Sequence, residues 1–161
     1  DLANDLGNLL NRITILIRKF CNNHVPHTSK KDEIDLELIK KMEVLPIDLF
    51  KNIDDLKINL AIENTMSLVR SINKYLEIKE PWKILKTNII DQSSLNALSI
   101  SCEAIALSAK LLFPVMPNKC NEIFKILNIE TRSQDNFSFG QTFGNHIQRH
   151  AALFPRIDSN D

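Results

Sequence analysis

From Leu95 to Leu112, apolar residues recur at steps of three and four: Leu95, Leu98, Cys102, Ile105, Ala109 and Leu112. An α-helix turns once every ~3.6 residues, so this rhythm sets all of them on one face. The same rhythm opens the chain, in Leu2, Leu6, Leu9, Ile13, Leu16 and Phe20. A half-buried strand needs alternation instead, and no segment sustains it. The two stripes confine the fold to packed helices. The first is predicted over roughly residues 1–22, and the later one starts at Ser93 or Ser94, either of which can cap it.

Between and beyond them the pattern is less regular. Residues 32–42 alternate acidic, apolar and basic types and read as a short surface helix, interrupted at Pro46, with Asp48 able to cap the next helix. A long segment over roughly 48–77 carries Ile53, Leu56, Leu60, Ala61, Leu68, Ile72 and Leu76, a stripe that drifts around the helix as if packing against two neighbours. Pro81 opens a further short helix through Lys86, since proline suits a first helical position. Pro114 and Pro117 stop the Ser- and Ala-rich helix, and another starts near Pro117 with Cys120, Ile123, Phe124 and Leu127 as its stripe. Residues 130–161, rich in Asn, Gln and Ser and carrying Phe137, Phe139, Phe143 and Phe154, read as an irregular tail over the bundle. The expected architecture is all-α: an antiparallel bundle of four to five helices with an irregular C-terminal tail, forming a single domain over residues 1–161.

Composition narrows the functional classes. Lys plus Arg and Asp plus Glu both number 20, so the formal net charge is zero. A protein gripping a long duplex through its phosphates carries a basic excess, so any nucleic-acid contact here is local and supported by stacking. No apolar run reaches the eighteen or so residues of a membrane span, and no signal-peptide pattern is present, which reads as a cytoplasmic protein with no membrane partner. Three scattered cysteines, Cys21, Cys102 and Cys120, suggest a reduced compartment. Asp1 is not a natural start, so the chain reads as a C-terminal fragment of something longer.

Catalytic signatures are missing: there is no Gly-rich phosphate loop, nucleophile elbow or Cys-x-x-Cys pair. His146 and His150 have the spacing of two metal ligands on a helix, but no third ligand accompanies them, and they read as solvated tail residues. Cys21, His24 and His27 lack a fourth ligand. The Asp54-Asp55 pair reads as solvated. No metal site and no bound cofactor are expected in this chain.

One segment has a specific chemistry. Asn73-Lys74-Tyr75 through Glu80-Pro81-Trp82-Lys83 contains the only Trp and the only Tyr, with Pro81 fixing the backbone just before the indole. A lone Trp in such a chain defaults to the core. A Trp at a proline-started helix entrance, with Lys79, Lys83 and Lys86 around it, also suits a base-stacking platform whose lysines meet phosphates. Asn8 and Arg12 stand one turn apart on the first helix. Asn8 offers donor and acceptor, and Arg12 a planar fork of donors; their bland alternatives are an exposed or interhelix amide and a partner for Asp5 or Asp1.

Four segments in order resemble one family. Leu2-Ala3-Asn4-Asp5-Leu6-Gly7-Asn8-Leu9-Leu10-Asn11-Arg12 is similar to the first helix of the anticodon-binding domain of methionyl-tRNA synthetases, and the Asn73–Lys83 stretch to that family's most characteristic segment. Leu111-Leu112-Phe113-Pro114-Val115-Met116-Pro117 resembles its helix junction, and Leu153-Phe154-Pro155-Arg156-Ile157 its closing motif. The resemblance implies a class I synthetase that joins methionine to its tRNA with ATP. The catalytic domain, with HIGH and KMSKS motifs, would precede Asp1 and bind the ATP and methionine. It further implies that Trp82 stacks on the first base of a CAU anticodon, beside Pro81 and Lys83, and that Asn8 and Arg12, or residues one turn away, shape the pocket. The partners implied are the anticodon loop of tRNA(Met) and the synthetase's own catalytic domain. The alternatives are the equivalent domain of an isoleucine, valine, leucine or cysteine enzyme, and a helical protein-interaction module.

Overall fold

The computed structural model describes residues 2–53, 58–130 and 137–150. Asp1, Asp54-Asp55, Leu56, Phe154 and the closing Leu153–Ile157 motif, all named above, lie outside them. So does the burial of Asp48, Ile53, Leu60 and Ala61. Among the described residues the elements are α1 (Leu2–Phe20), α2 (Glu33–Ile53), α3 (Ile58–Lys79), α4 (Pro81–Ile84), α5 (Gln92–Leu112) and α6 (Pro117–Ile126). Five are long, and α4 is one turn, in keeping with the all-α expectation.

The Leu95–Leu112 stripe belongs to the central helix. α5 packs against every other helix, and every residue from Asn96 to Leu112 is buried. Its Ala and Ser residues let neighbours approach on all sides, as a helix enclosed all round requires. This corrects the expectation about membrane spans, because α5 is by length and composition long and apolar enough to cross a bilayer, at mean hydropathy 1.4. Counting uninterrupted apolar residues missed it, since the stretch is broken by serines, Asn96, Glu103 and Lys110. The bundle already buries 94% of that window. On α1, Leu6, Leu9, Ile13 and Leu16 enter the core as their spacing predicts.

Two boundaries differ from the sequence reading. α2 is neither short nor interrupted: it runs through Pro46 to Ile53. A mid-helix proline removes one backbone bond and costs about 3 kcal/mol. Here Leu38, Ile39, Met42 and Leu45 are all buried in the bundle, which holds the helix together across the lost bond. The segment expected over 48–77 therefore divides between the end of α2 and α3. The cap of α5 is Asp91, not Ser93 or Ser94: its carboxylate accepts from Ser94 N at 3.0 Å and from Ser94 Oγ at 2.6 Å. The serine thus joins the cap as donor.

The tail is irregular over 137–150 but firmly attached. Gly144 N donates to Val25 O and Val25 N to Asn145 O, at 2.8 and 2.9 Å, while Ile147 N reaches Asn23 O at 2.7 Å. The buried Glu103 carboxylate accepts from Thr142 N at 3.1 Å. Gly144 is favoured by its φ of 77°, a backbone that side chains other than glycine's adopt only with strain, and a Cβ would also press on His27 Nε2 at 3.1 Å.

Ser101 offers a test of the core. It is fully buried on α5, and its hydroxyl finds no hydrogen-bond partner among the described residues. A buried hydroxyl without a partner destabilises the folded state, so Ser101→Ala is expected to raise stability by about 1 kcal/mol. Urea unfolding with an unchanged slope and a higher midpoint is the signature.

Candidate nucleic-acid interface

The site is built from the end of α3. Pro81 has no N–H and disfavours helical backbone in the residue before it, so α3 cannot run through Glu80. Glu80 instead adopts the left-handed conformation (φ 46°, ψ 50°) and donates its N–H to Leu76 O at 2.9 Å, a C-terminal cap usually made by glycine. Its carbonyl accepts from Lys83 N and Ile84 N at 3.0 and 3.2 Å, so one residue closes α3 and opens α4. Pro81 is buried at the near end of α4, and Leu85 at the far end is 2% exposed. Trp82 is carried between these two anchors.

The indole is neither core nor fully free. It is half-buried, packed against the hydrophobic core on one side. Arg12 reaches it from α1, its guanidinium carbon 4.3 Å from the ring centroid. That is a cation–π contact, where the bland reading of Arg12 was an ion pair with Asp5 or with Asp1, the latter outside the described residues. Arg12, Ile15, Leu16 and Trp82 line an open recess of about 290 Å³. Ile15 is an apolar residue on the wrong side of the α1 stripe and remains 55% exposed. That misplacement was the sequence signal for the recess, and the spacing argument passed over it.

The remaining candidates divide. Asn8 is exposed one turn before Arg12 and does not line the recess. Lys83 is exposed, its ammonium 3.9 Å from the Glu80 carboxylate, and Lys86 is exposed too. Lys79 is not a phosphate-facing lysine, which corrects the sequence reading. It is 6% exposed, paired with Asp32 and, at 3.0 Å, with Asp35, and it donates to Ser93 Oγ at 2.9 Å. Tyr75 Oη donates at 2.5 Å to Asp35 Oδ1, the same oxygen that the Lys79 ammonium meets. Burial and the two carboxylates push the Tyr75 phenol far above its ordinary range. The carboxylates also cap α2 reciprocally: Asp35 N donates to Asp32 Oδ1 at 2.8 Å, and Asp32 N to Asp35 Oδ2 at 3.1 Å.

The histidines and cysteines assemble no metal centre among the described residues. Burial pushes the Cys21 thiol up to about 11, away from the thiolate a metal needs. His24 meets His146 edge-on at 5.1 Å, and His150 Nε2 lies 3.1 Å from Thr14 Oγ1. His146 is exposed, as the solvated reading expects, whereas the half-buried His150 is attached to α1 through Thr14.

Fold and recess together define an all-α bundle that presents one aromatic–guanidinium stack beside a proline-started turn. Over residues 25–159 the chain matches the family described as the anticodon binding domain of methionyl tRNA ligase. It is similar to the methionine–tRNA ligases of Caldanaerobacter subterraneus (34% identity, 98% of this chain, 25% of the relative) and Deinococcus radiodurans (31%, 97% and 23%). Among solved structures, the free-state methionyl-tRNA synthetase of Mycobacterium tuberculosis superposes with a TM-score of 0.91 at 26% identity, over 97% of this chain and 32% of that one. The chain therefore belongs to the family of anticodon-binding domains of methionyl-tRNA synthetases, which sets aside the isoleucine, valine, leucine and cysteine alternatives. It spans about a quarter of the length of the curated relatives it matches.

The charge cluster behind the site predicts a pH dependence. Burial opposes ionisation of Asp32, but the hydrogen bond and charge of Lys79 and the N–H groups of Asp35 and Ile34 outweigh it, holding the carboxyl below its ordinary value. A group with a depressed folded-state pKa stabilises the fold above its unfolded value, and that contribution is lost as pH falls through the folded value. Thermal stability is expected to decline below about pH 4. Asp32→Asn should flatten that decline while leaving the cap in place, as melting curves across the acid range would show.

Proposed function

We infer that this chain recognises the CAU anticodon loop of tRNA(Met), with Trp82 as the stacking platform for its first base. The observation that carries the reading is a half-exposed indole, backed by a guanidinium, at the mouth of a recess in an anticodon-binding fold. Loop bases can be splayed out and laid on such a surface, whereas bases within a helix cannot. Arg12 serves twice: its plane supports the indole, and its outward N–H groups face a base edge or phosphate. Pro81 fixes the backbone that carries the indole, Asn8 extends the contact along α1, and Lys83 supplies a local positive charge. The zero net charge fits a small contact, in which few phosphates are neutralised.

In the whole protein this reading places the domain beside a catalytic domain that binds ATP and methionine and esterifies the amino acid to its tRNA. The chain itself supplies recognition and no chemistry, and the setting is cytoplasmic translation.

Trp82→Ala is expected to preserve helical circular dichroism and to weaken binding of a CAU anticodon stem-loop by about 1–3 kcal/mol, roughly 5- to 150-fold. Binding equal to wild type would remove Trp82 from the interface. Stem-loops with other anticodons should compete poorly. Arg12→Lys keeps the charge but loses the planar stack, so it should recover little of the affinity lost in Arg12→Ala. Full recovery by lysine, measured by fluorescence titration at two salt concentrations, would reduce Arg12 to a point charge.

A further inference from the structure

We propose that Lys79 is a positioning residue for the Trp82 platform: its buried ammonium locks the end of α3 to the start of α2, and the lock sets where the indole stands. The proposal rests on the reading of Trp82 as the recognition surface. Lys79 is the last residue of α3, and only Glu80 and Pro81 separate it from Trp82. Its backbone is the final helical unit before the left-handed Glu80, so rotation at Lys79 passes straight into α4. Its side chain is held by three groups from two other parts of the bundle. These are Asp32 and Asp35 at the N-terminus of α2, and Ser93 in the first turn of α5.

The far side of this lock is itself fixed. Asp35 is 1% exposed and is held by Tyr75 Oη and by Asp32 N. Asn96 on α5 donates to Lys30 O at 2.9 Å and accepts from Ser29 N at 3.1 Å, so the loop leading to Asp32 is tied to the central helix. The ammonium is thus clamped to a buried and multiply held Asp35, with the half-exposed Asp32 and Ser93 completing the set. Lys83 and Lys86, by contrast, lie exposed on the Trp82 side of the turn, where a phosphate can reach them. A lysine buried among carboxylates is not available to RNA. What it transmits is geometry, and a stacking platform is sensitive to geometry at the ångström scale.

Trp82 is the only Trp, so its fluorescence reports the platform directly. The test compares wild type, Lys79→Gln, Lys79→Arg and Asp32→Asn for three properties: helical circular dichroism, acrylamide quenching and anisotropy of Trp82, and affinity for a CAU anticodon stem-loop. The expected result for Lys79→Gln is helical content intact, quenching raised and anisotropy lowered without RNA, and affinity reduced by about tenfold. Lys79→Arg should restore much of each reading, and Asp32→Asn should shift them in the same direction by less, since Asp35 remains. Should Lys79→Gln lose its helical signal, Asp32→Asn decides by the same quenching and affinity readings. Unchanged quenching and anisotropy in the folded variants would overturn the proposal. So would a loss of RNA affinity with an unchanged Trp82 signal, because Lys79 would then be meeting the RNA itself. The quenching arm needs no RNA, so it stands even if Trp82→Ala binds normally and the recognition reading fails.

Discussion

A single ammonium, that of Lys79, lies where three helices of this bundle must agree. It closes α3, it is paired with the two carboxylates that cap α2, and it touches the first turn of α5. Taking a lysine and an aspartate out of water costs several kcal/mol per ion, so the cluster is a poor source of net stability. Its value lies in uniqueness. An apolar contact at this place would tolerate sliding or rotation of α3 against α2, whereas an ammonium with fixed acceptors does not. Asp35 is fully committed: it accepts from Tyr75 Oη and caps its own helix as well as pairing with Lys79. Loss of Lys79 would leave the buried Asp35 carboxylate without its counter-charge, whereas loss of the half-exposed Asp32 leaves the Lys79–Asp35 pair in place.

The central helix makes that precision possible. α5 is enclosed on all sides, yet it carries Asn96, Ser99, Glu103 and Lys110 as well as its apolar stripe. Its polar residues reach outside the helix. Asn96 holds the loop before α2, and Ser99 lies 3.1 Å from Thr28 Oγ1. Glu103 receives the tail at Thr142. Burial pushes the Glu103 carboxyl up and the Lys110 ammonium down in pKa, the sign expected when a low-dielectric core disfavours charge. The polar groups of α5 thus fix the irregular segments, while its small residues bring the regular ones close. Loop, tail and helices are referred to one axis.

How much of this was readable in advance depends on the range of the interaction. The stripe of α1 and the rhythm of α5 are local patterns of one helix, and both entered the core as spacing predicts. Pro81 at the head of α4 was also legible, because proline's constraint acts on adjacent residues, and it marked the turn that carries Trp82. The failures are cases where distant packing overrode a local signal. Pro46 should have ended a helix, but the buried apolar face of α2 carries it through. Lys79 has the appearance of a solvated lysine until Asp32 and Asp35, far off in sequence, are brought to it. The Asp32–Asp35 capping pair went unread in the sequence, and nothing local says that the same carboxylates also receive an ammonium. Ile15 was visible too, as an apolar residue on the exposed flank of α1. A single residue of that kind carries meaning only once Trp82 is beside it.

The smallest element depends most on its surroundings. Four residues cannot hold a helix in water, since nucleating a turn is unfavourable and α4 offers almost no propagation to offset it. Its entry residue is moreover a non-glycine in left-handed backbone, a strain of order 1–3 kcal/mol. Neither tendency is overcome inside α4. The strain is held by Lys79 on one side and by buried Pro81 and Leu85 on the other, while Arg12 restrains the indole from α1. A chain of zero net charge has little long-range attraction to offer RNA. On the proposed reading it depends instead on presenting a surface already in position when the loop arrives. The rigidity given by the buried charges behind the turn and the exposure of the ring in front of it are therefore two halves of one arrangement: the first keeps ordering losses on binding small, and the second supplies the contact.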